Sequence, residues 1–187
     1  MNKKLYTRPL NTTFGYWLRV AQFTDFKIGK YDRPEFIGKQ PTPKNLNDLP
    51  LGGLITLSGV GDSAASIYVI TETIMHLGQA ETDAARAVDV VRFVGWVYGE
   101  VEKINALFES TNIPPTEKER RAGIDRLKFG LFGMVDWYAQ RMGITDHEEV
   151  MKVPWLRVYK CIQMDNERRL YERRYEDMIT QEMKRHK

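Results

Sequence analysis

Apolar residues recur at spacings of three and four along most of the chain after residue 45, which is typical of helices that each bury one face. The most regular run begins near Thr82 or Asp83 and continues to about Ser110. Its apolar positions are Ala87, Val91, Val94, Val97, Val101, Ile104 and Phe108. A stripe this regular predicts helix-on-helix packing.

The same periodicity predicts further helices over residues 49–57, 64–77, 116–142 and 148–152, and a last one from Pro154 onward. The predicted fold is therefore mainly α, a bundle of five or six helices in residues 46–187. Residues 1–45 precede it as a basic, proline-containing N-terminal arm with room for a short β-hairpin. The arm and the helical region are the two predicted domains.

Two capping-box sequences mark helix starts within the second half of the chain. Thr116 is followed by Glu119, and Thr145 by Glu148, so each pair is placed to satisfy backbone N–H groups of a first helical turn. Between them, Gly130 and Gly133 interrupt an otherwise helical pattern. Two glycines three residues apart favour close packing or a kink, and a functional hinge is the alternative.

The N-terminal arm combines proline residues with aromatic ones. Residues 12–23 fit either a short helix or a strand, because the run is too short for the periodicity to decide. Residues 26–31 alternate like a half-buried strand, with a turn at residues 32–34 and a return strand over residues 35–38. Three aromatic residues of the arm are candidate partner contacts: Tyr16, Trp17 and Phe23. The alternative is that these rings anchor the arm onto the helical body.

The last helix changes character along its length. Trp155, Val158, Tyr159 and Ile162 form a core-facing stripe near its start. Beyond Asp165 the apolar stripe narrows to a seam among charged residues, as in helices that dock on another subunit or on an elongated helical partner. The candidate partner-binding residues of this helix are Met164, Arg168, Tyr171, Arg174, Tyr175 and Met178. An exposed helix with internal ion pairs, such as Arg168–Glu172 and Arg173–Asp177, is the alternative.

Charge is distributed unevenly, although the formal net charge is only +3. Residues 1–44 carry nine Lys/Arg against three Asp/Glu, and residues 45–110 carry three against nine. A basic arm beside an acidic middle is compatible with nucleic-acid binding. It is equally compatible with an arm lying on the acidic body of a neighbouring subunit, or with an ordinary solvated surface.

No pattern typical of a catalytic or metal site is present. The single cysteine, Cys161, excludes an internal disulfide and a cysteine-based metal cluster, and the three histidines lie far apart in sequence. No apolar run is long enough for a signal peptide or a membrane span. We therefore expect a non-enzymatic protein without a cofactor or bound metal, located in the cytoplasm.

Two stretches resemble tail assembly chaperones of long-tailed bacteriophages. The first is the run from Leu46 to Leu57, where polar residues lead into a Leu-x-x-Leu entry, and the second joins Met142–Asp146 to Val153–Tyr159 and a charged helix. The resemblance covers about residues 46–175. It implies a small helical protein of the host cytoplasm that oligomerises and coats the tape-measure protein until the tail tube assembles.

The leading functional hypothesis is thus a tail assembly chaperone that binds the tape-measure protein through helical contacts and forms a homo-oligomer. A virion structural protein, such as a capsid, connector or tail component, is the first alternative, because an N-terminal arm suits ties between subunits. A nucleic-acid-binding module is the second alternative. No membrane partner is expected.

Overall fold

The computed structural model describes residues 11–20, 31–61 and 63–185, and within them the chain is mainly α-helical, as predicted. The helices are α1 (Phe14–Val20), α2 (Leu51–Ser58), α3 (Ala64–Met75), α4 (Gln79–Ala84), α5 (Ala87–Ser110), α6 (Glu117–Arg121), α7 (Gly130–Met142), α8 (His147–Met151) and α9 (Trp155–Arg185). A 3₁₀ turn covers Ile124–Arg126. Five of the nine helices in the described ranges have eight residues or more, in line with the five or six predicted.

The chain forms two compact units, Met1–Asn105 and Ala106–Lys187. The described part of the predicted N-terminal arm is grouped with unit 1. The predicted domain boundary at residue 45 stays a prediction. The boundary between the two compact units lies elsewhere, between Asn105 and Ala106 within α5.

The N-terminal segment of unit 1 is built into the helical body by backbone hydrogen bonds. Phe14 N–H donates to Ala85 O (2.8 Å) and Ala87 N–H donates to Thr12 O (2.9 Å), which forms a β-bridge between Thr13 and Arg86. Because these groups bond to residues 12–14, the helix predicted as continuous from residue 82 onward is divided. α4 ends at Ala84 and α5 begins at Ala87.

α1 settles the open choice between helix and strand for the aromatic run, and it contributes to the core. Phe14 is fully buried and its ring lies 5.8 Å from that of Trp17 and 6.1 Å from that of Tyr68. Gly15 allows α1 to approach α4 closely, since a Cβ there would lie 2.9 Å from the Asp83 side chain.

The predicted apolar stripes of α3 and α5 are largely buried in unit 1. Ile67 and Ile70 of α3 and most of the α5 stripe are inaccessible to solvent. Ser63 caps α3 by accepting a hydrogen bond from Ser66 N–H. The C-cap of α3 is His76, in the left-handed conformation with φ of 55°. Gly78 is the N-cap of α4.

A short N-terminal hairpin is present in unit 1, as predicted, but its turn lies at residues 38–39 rather than at the predicted residues 32–34, and its strands have two residues each. β1 (Phe36–Ile37) pairs antiparallel with β2 (Gln40–Pro41), and Gly38 supplies the positive φ (59°) of the turn. The predicted return strand over residues 35–38 contains β1. Its predicted partner over residues 26–31 falls almost wholly outside the described residues. The Gln40 side chain ties the hairpin to α3 by donating to Met75 O (2.7 Å).

The long helix predicted over residues 116–142 is three separate elements in unit 2. The capping box of Thr116 and Glu119 starts α6, as predicted, but α6 ends after five residues. A 3₁₀ turn follows, and α7 begins only at Gly130, which has φ of 55°. At Gly133 an added Cβ would collide with the Phe129 side chain. The two glycines therefore permit a sharp entry into α7.

The remaining elements of unit 2 lead into its longest helix. Gly143, in the left-handed conformation, ends α7 as predicted. Asp146, rather than Thr145, caps α8, because it directly precedes the first helical residue and its carboxylate accepts from Glu148 N–H (2.9 Å). α9 then runs for 31 residues, about 46 Å at a rise of about 1.5 Å per residue.

Candidate partner-binding surface

One face of α9 is packed against unit 2 near the start of the helix. Trp155, Val158 and Tyr159 are buried. The Phe108 ring lies 6.0 Å from the Trp155 ring and 5.7 Å from the Tyr159 ring, at tilted and edge-on angles favourable for aromatic contacts. The predicted core-facing stripe is therefore correct for this part of the helix.

The same face is held further along by polar side chains that bond to residues 111–119. Asn166 donates to Thr111 O (2.6 Å) and Arg173 to Pro114 O (3.2 Å). Arg173 therefore contacts the loop that follows α5 and also Glu119. The ion pair with Asp177, which the sequence offered as an alternative, is not the contact that Arg173 makes. The spacing of these residues continues the packed face of α9 well past the last buried aromatic residue.

Glu119 is the centre of this polar contact. Its carboxylate accepts from Thr116 N–H (2.7 Å), from Arg169 (2.5 Å) and from Arg173 (2.8 Å). The backbone hydrogen bond from Thr116 and then the Arg169 hydrogen bond lower the pKa of Glu119 from 4.5 to about 2. The side chain thus caps α6 and binds α9 at once, which fixes one side of the long helix.

The opposite face of α9 is exposed, and it carries the predicted seam. The fractional exposures are 58% for Met164, 59% for Tyr171, 49% for Tyr175 and 48% for Met178. At about 100° per residue these four positions fall on one line, roughly half a turn from Asn166 and Arg173. The Tyr171 and Tyr175 rings stack at 6.2 Å with an angle of 18° between their planes. We call these four residues the α9 stripe.

Arginine side chains border the α9 stripe. Arg168 and Arg174, both predicted as partner contacts, are exposed on either side of it. All six candidate residues on α9 therefore lie together on accessible surface. Whether a partner binds them remains a prediction, but the structure leaves them free of the packing that covers the opposite face.

The predicted partner contacts of the N-terminal arm, unlike those of α9, are not all exposed. Tyr16 is 53% exposed, whereas Trp17 is only 6% exposed and stacks against Phe14. The buried position of Trp17 corrects its proposed role as a partner contact: its ring belongs to the core of unit 1, as the anchoring alternative required. Phe23 lies outside the described residues.

A second exposed apolar cluster was not predicted from the sequence, because its residues lie within the stretch predicted to form one continuous helix. Leu127, Phe129, Leu131 and Phe132, which precede or begin α7, are between 45% and 67% exposed. Leu127 and Leu131, four residues apart, share one face of the predicted continuous helix, but the four residues together do not. The side chains of this cluster are exposed where the predicted helix is broken at Gly130. The only sign of this break in the sequence is the pair Gly130 and Gly133.

A groove of about 700 Å³ opens within unit 2, beside α9. Its lining is mixed: Phe108, Ile113 and Trp137 are among the apolar residues, and Asp165 and Arg169 are among the charged ones. Asp165 bonds to Arg141, whose guanidinium lies 5.9 Å from the centre of the Trp137 ring. Arg169 bonds to Glu119, so Asp165 and Arg169 are each paired with a residue outside the groove lining.

The residues that the structure describes contain no group of three His, Cys, Asp or Glu side chains arranged to hold a metal ion. Within the same residues, none of the helices is both long and apolar enough to span a bilayer. No family model matches the chain, and searches among characterised proteins and among solved structures gave no match.

Proposed function

We propose that this protein is a non-enzymatic assembly protein that holds a helical segment of a partner on the α9 stripe. A single observation carries the proposal: one face of a 31-residue helix is fixed by packing and hydrogen bonds, while the opposite face exposes methionine and tyrosine side chains in line. An apolar stripe along one helix can pair with the apolar face of an amphipathic helix.

The chemistry of the stripe suits a partner that must be held and then released. Methionine and tyrosine provide apolar area that adapts to different packing, because methionine is flexible and tyrosine is amphipathic. Arg168 and Arg174 beside the stripe add attraction for acidic side chains that flank the partner's apolar face. The expected binding is therefore moderate in affinity and dependent on salt.

The resemblance to phage tail assembly chaperones supplies the identity of the proposed partner. Under this proposal the protein coats the tape-measure protein of a long-tailed phage in the host cytoplasm until the tail tube assembles around it. Tape-measure proteins are long and helical, so that a surface able to accept successive helical segments would serve along their length.

Co-expression with overlapping segments of the tape-measure protein encoded in the same genome tests this proposal. The wild-type protein is expected to co-purify with one or more helical segments. Y171Q, Y175Q and M178Q combined should abolish capture, since glutamine keeps helix propensity and removes the apolar contacts. The matched control combines L170Q and M183Q, which replace residues that are also exposed but lie off the stripe.

Equal loss of capture in both variants, or undiminished capture by the stripe variant, would refute the role of the stripe. A wild-type protein that captures no tape-measure segment but binds capsid, connector or tail components would favour the virion structural alternative. Binding to DNA at low salt that falls steeply as salt is added would favour a nucleic-acid-binding module instead.

A further inference from the structure

The α9 stripe has a repeat that constrains what can pair with it. Met164, Tyr171 and Met178 are spaced seven apart, and Cys161, Arg168 and Tyr175 form a second set with the same spacing. Together the two sets make the alternating three-and-four pattern of a coiled-coil seam over about two and a half heptads. Five of these six residues are exposed on the side of α9 facing away from Asn166 and Arg173, which hold the helix to unit 2. The sixth, Cys161, is half-buried beside Arg141 of α7.

We propose that a second copy of this chain pairs with the seam, and that the two α9 helices run antiparallel. The inference rests on the proposed function, in which the α9 stripe is accessible. It adds that a second copy of the chain covers this stripe when no other partner is bound. In a two-fold arrangement centred between Arg169 and Leu170, each seam residue of one set faces a residue of the other set. The contacts within the seam then differ sharply from those of a parallel pair.

The antiparallel register places complementary chemistry in every layer. Arg168 faces the Tyr171 ring of the second copy, a cation–π contact that occurs twice by symmetry. Met164 faces Tyr175 of the second copy, a sulfur–aromatic contact that also occurs twice. Cys161 faces Met178. A parallel, in-register pair would instead oppose Arg168 to its own copy, which is destabilising for like charges.

The charges beside the seam favour the same direction. On one flank the antiparallel register brings Glu167 next to Arg174 of the second copy, again twice. On the other flank Glu172 of the second copy approaches Asp165, but Arg141 already lies there, bonded to the Asp165 carboxylate. The Arg141 guanidinium has further N–H donors for a second carboxylate, so this flank is compensated by a residue of α7.

The pairing is short, and that length has a functional consequence. The seam from Cys161 to Met178 extends about 26 Å at a rise of about 1.5 Å per residue. Interfaces of this extent are at the low end of those that persist in solution, so the two copies should exchange. A helical partner that offers a better apolar face would then displace the second copy from the same stripe.

Cysteine cross-linking of the full-length protein tests the pairing and its direction. The M178C variant retains the native Cys161, and in the antiparallel register the two thiols of different copies face each other. Mild oxidation is expected to give an intermolecular dimer whose disulfide joins a peptide containing Cys161 to a peptide containing position 178. The wild-type protein, with Cys161 alone, should not cross-link, because the two Cys161 residues would lie about 26 Å apart.

Two double variants supply the controls. C161S/M178C should lose the cross-link, since the two copies of position 178 lie far apart in the antiparallel register; rapid cross-linking of this variant would overturn the direction in favour of a parallel pair. C161S/M183C places a thiol at an exposed position off the seam and measures random collisions. A cross-linking rate of M178C no higher than that of C161S/M183C would overturn the pairing altogether.

Sedimentation velocity without oxidant gives an independent readout. The wild-type protein is expected to show a concentration-dependent monomer–dimer equilibrium, with Y171Q/Y175Q shifted to monomer and L170Q/M183Q unchanged. A wild-type protein that remains monomeric at high concentration would refute the inference. These measurements contain no tape-measure segment, so their failure alongside intact capture would refute the dimer alone, whereas failed capture with an intact dimer would refute the proposed function alone.

Discussion

Replacing Phe14 with alanine tests whether the N-terminal segment is part of the core of unit 1 or an arm lying on it. Phe14 is fully buried, its ring contacts those of Trp17 and Tyr68, and its N–H bonds to Ala85 O. Truncation of a buried phenylalanine to alanine typically costs about 3–5 kcal/mol, since the lost transfer free energy is joined by the cost of a cavity. That loss is a large part of the total of about 5–15 kcal/mol that keeps most domains folded.

Native-state hydrogen exchange measured by mass spectrometry is the suitable assay, because peptides from residues 51–105 report on unit 1 alone. For amides that exchange only through unfolding of the unit, the exchange rate follows its opening free energy. A loss of about 3–5 kcal/mol should accelerate their exchange by about two to four orders of magnitude, at about 1.4 kcal/mol per factor of ten. Circular dichroism of F14A should retain the helical signal at low temperature.

Y16A is the matched control, since Tyr16 lies on the same helix two residues away and is 53% exposed. Substitutions of surface residues usually change stability by no more than about 0.5 kcal/mol, so exchange in Y16A should stay within about threefold of the wild type. If F14A accelerated exchange in residues 51–105 no more than Y16A does, the segment would not belong to the core, and the burial argument would be wrong.

Two further predictions concern unit 2. The Tyr138 hydroxyl is buried without a hydrogen-bond partner among the described residues, and burial raises its pKa. Y138F should therefore raise the melting temperature, by about 2–4 °C for each kcal/mol of desolvation relieved. A lower melting temperature of Y138F in a thermal scan would contradict this prediction. The Thr116 and Arg169 hydrogen bonds lower the pKa of Glu119 to about 2, so its stabilising effect is fully present above pH 4.5 and is lost as the pH falls toward 2. Urea midpoints of the wild type and E119Q should accordingly differ at pH 7 and converge near pH 2, and a difference independent of pH would disprove the role of the carboxylate.

Local signals in the sequence were sufficient where the cause of a structural feature is itself local. The capping box of Thr116 and Glu119, the termination of α7 at Gly143 and the apolar stripe of α5 all appear as predicted. Each depends on hydrogen bonds or packing directions within one or two helical turns, so that neighbouring residues decide it. The seam of α9 is in the same class, because its alignment follows from helical spacing alone.

Features that depend on distant residues could not be predicted from local sequence patterns. The break between α4 and α5 has no proline or glycine to mark it, and it exists because residues 12–14 bond to the backbone there. Trp17 and Tyr16 have similar aromatic character, yet one is buried and the other exposed, since the side of α1 that meets the body is fixed by Phe14 and by the close approach at Gly15.

The long C-terminal helix illustrates both kinds of determination. Its periodicity, its charge and the alignment of Met164, Tyr171, Tyr175 and Met178 were determined by the sequence, because a helix of known pitch distributes its residues around the axis in a fixed way. The sequence also predicted the core-facing stripe that starts at Trp155, but only the tertiary structure decided that polar contacts extend the covered face as far as Arg173. Arg173 could have paired along the helix, but a carboxylate already oriented by the Thr116 cap offered it a better-organised partner, and that contact leaves the opposite face exposed.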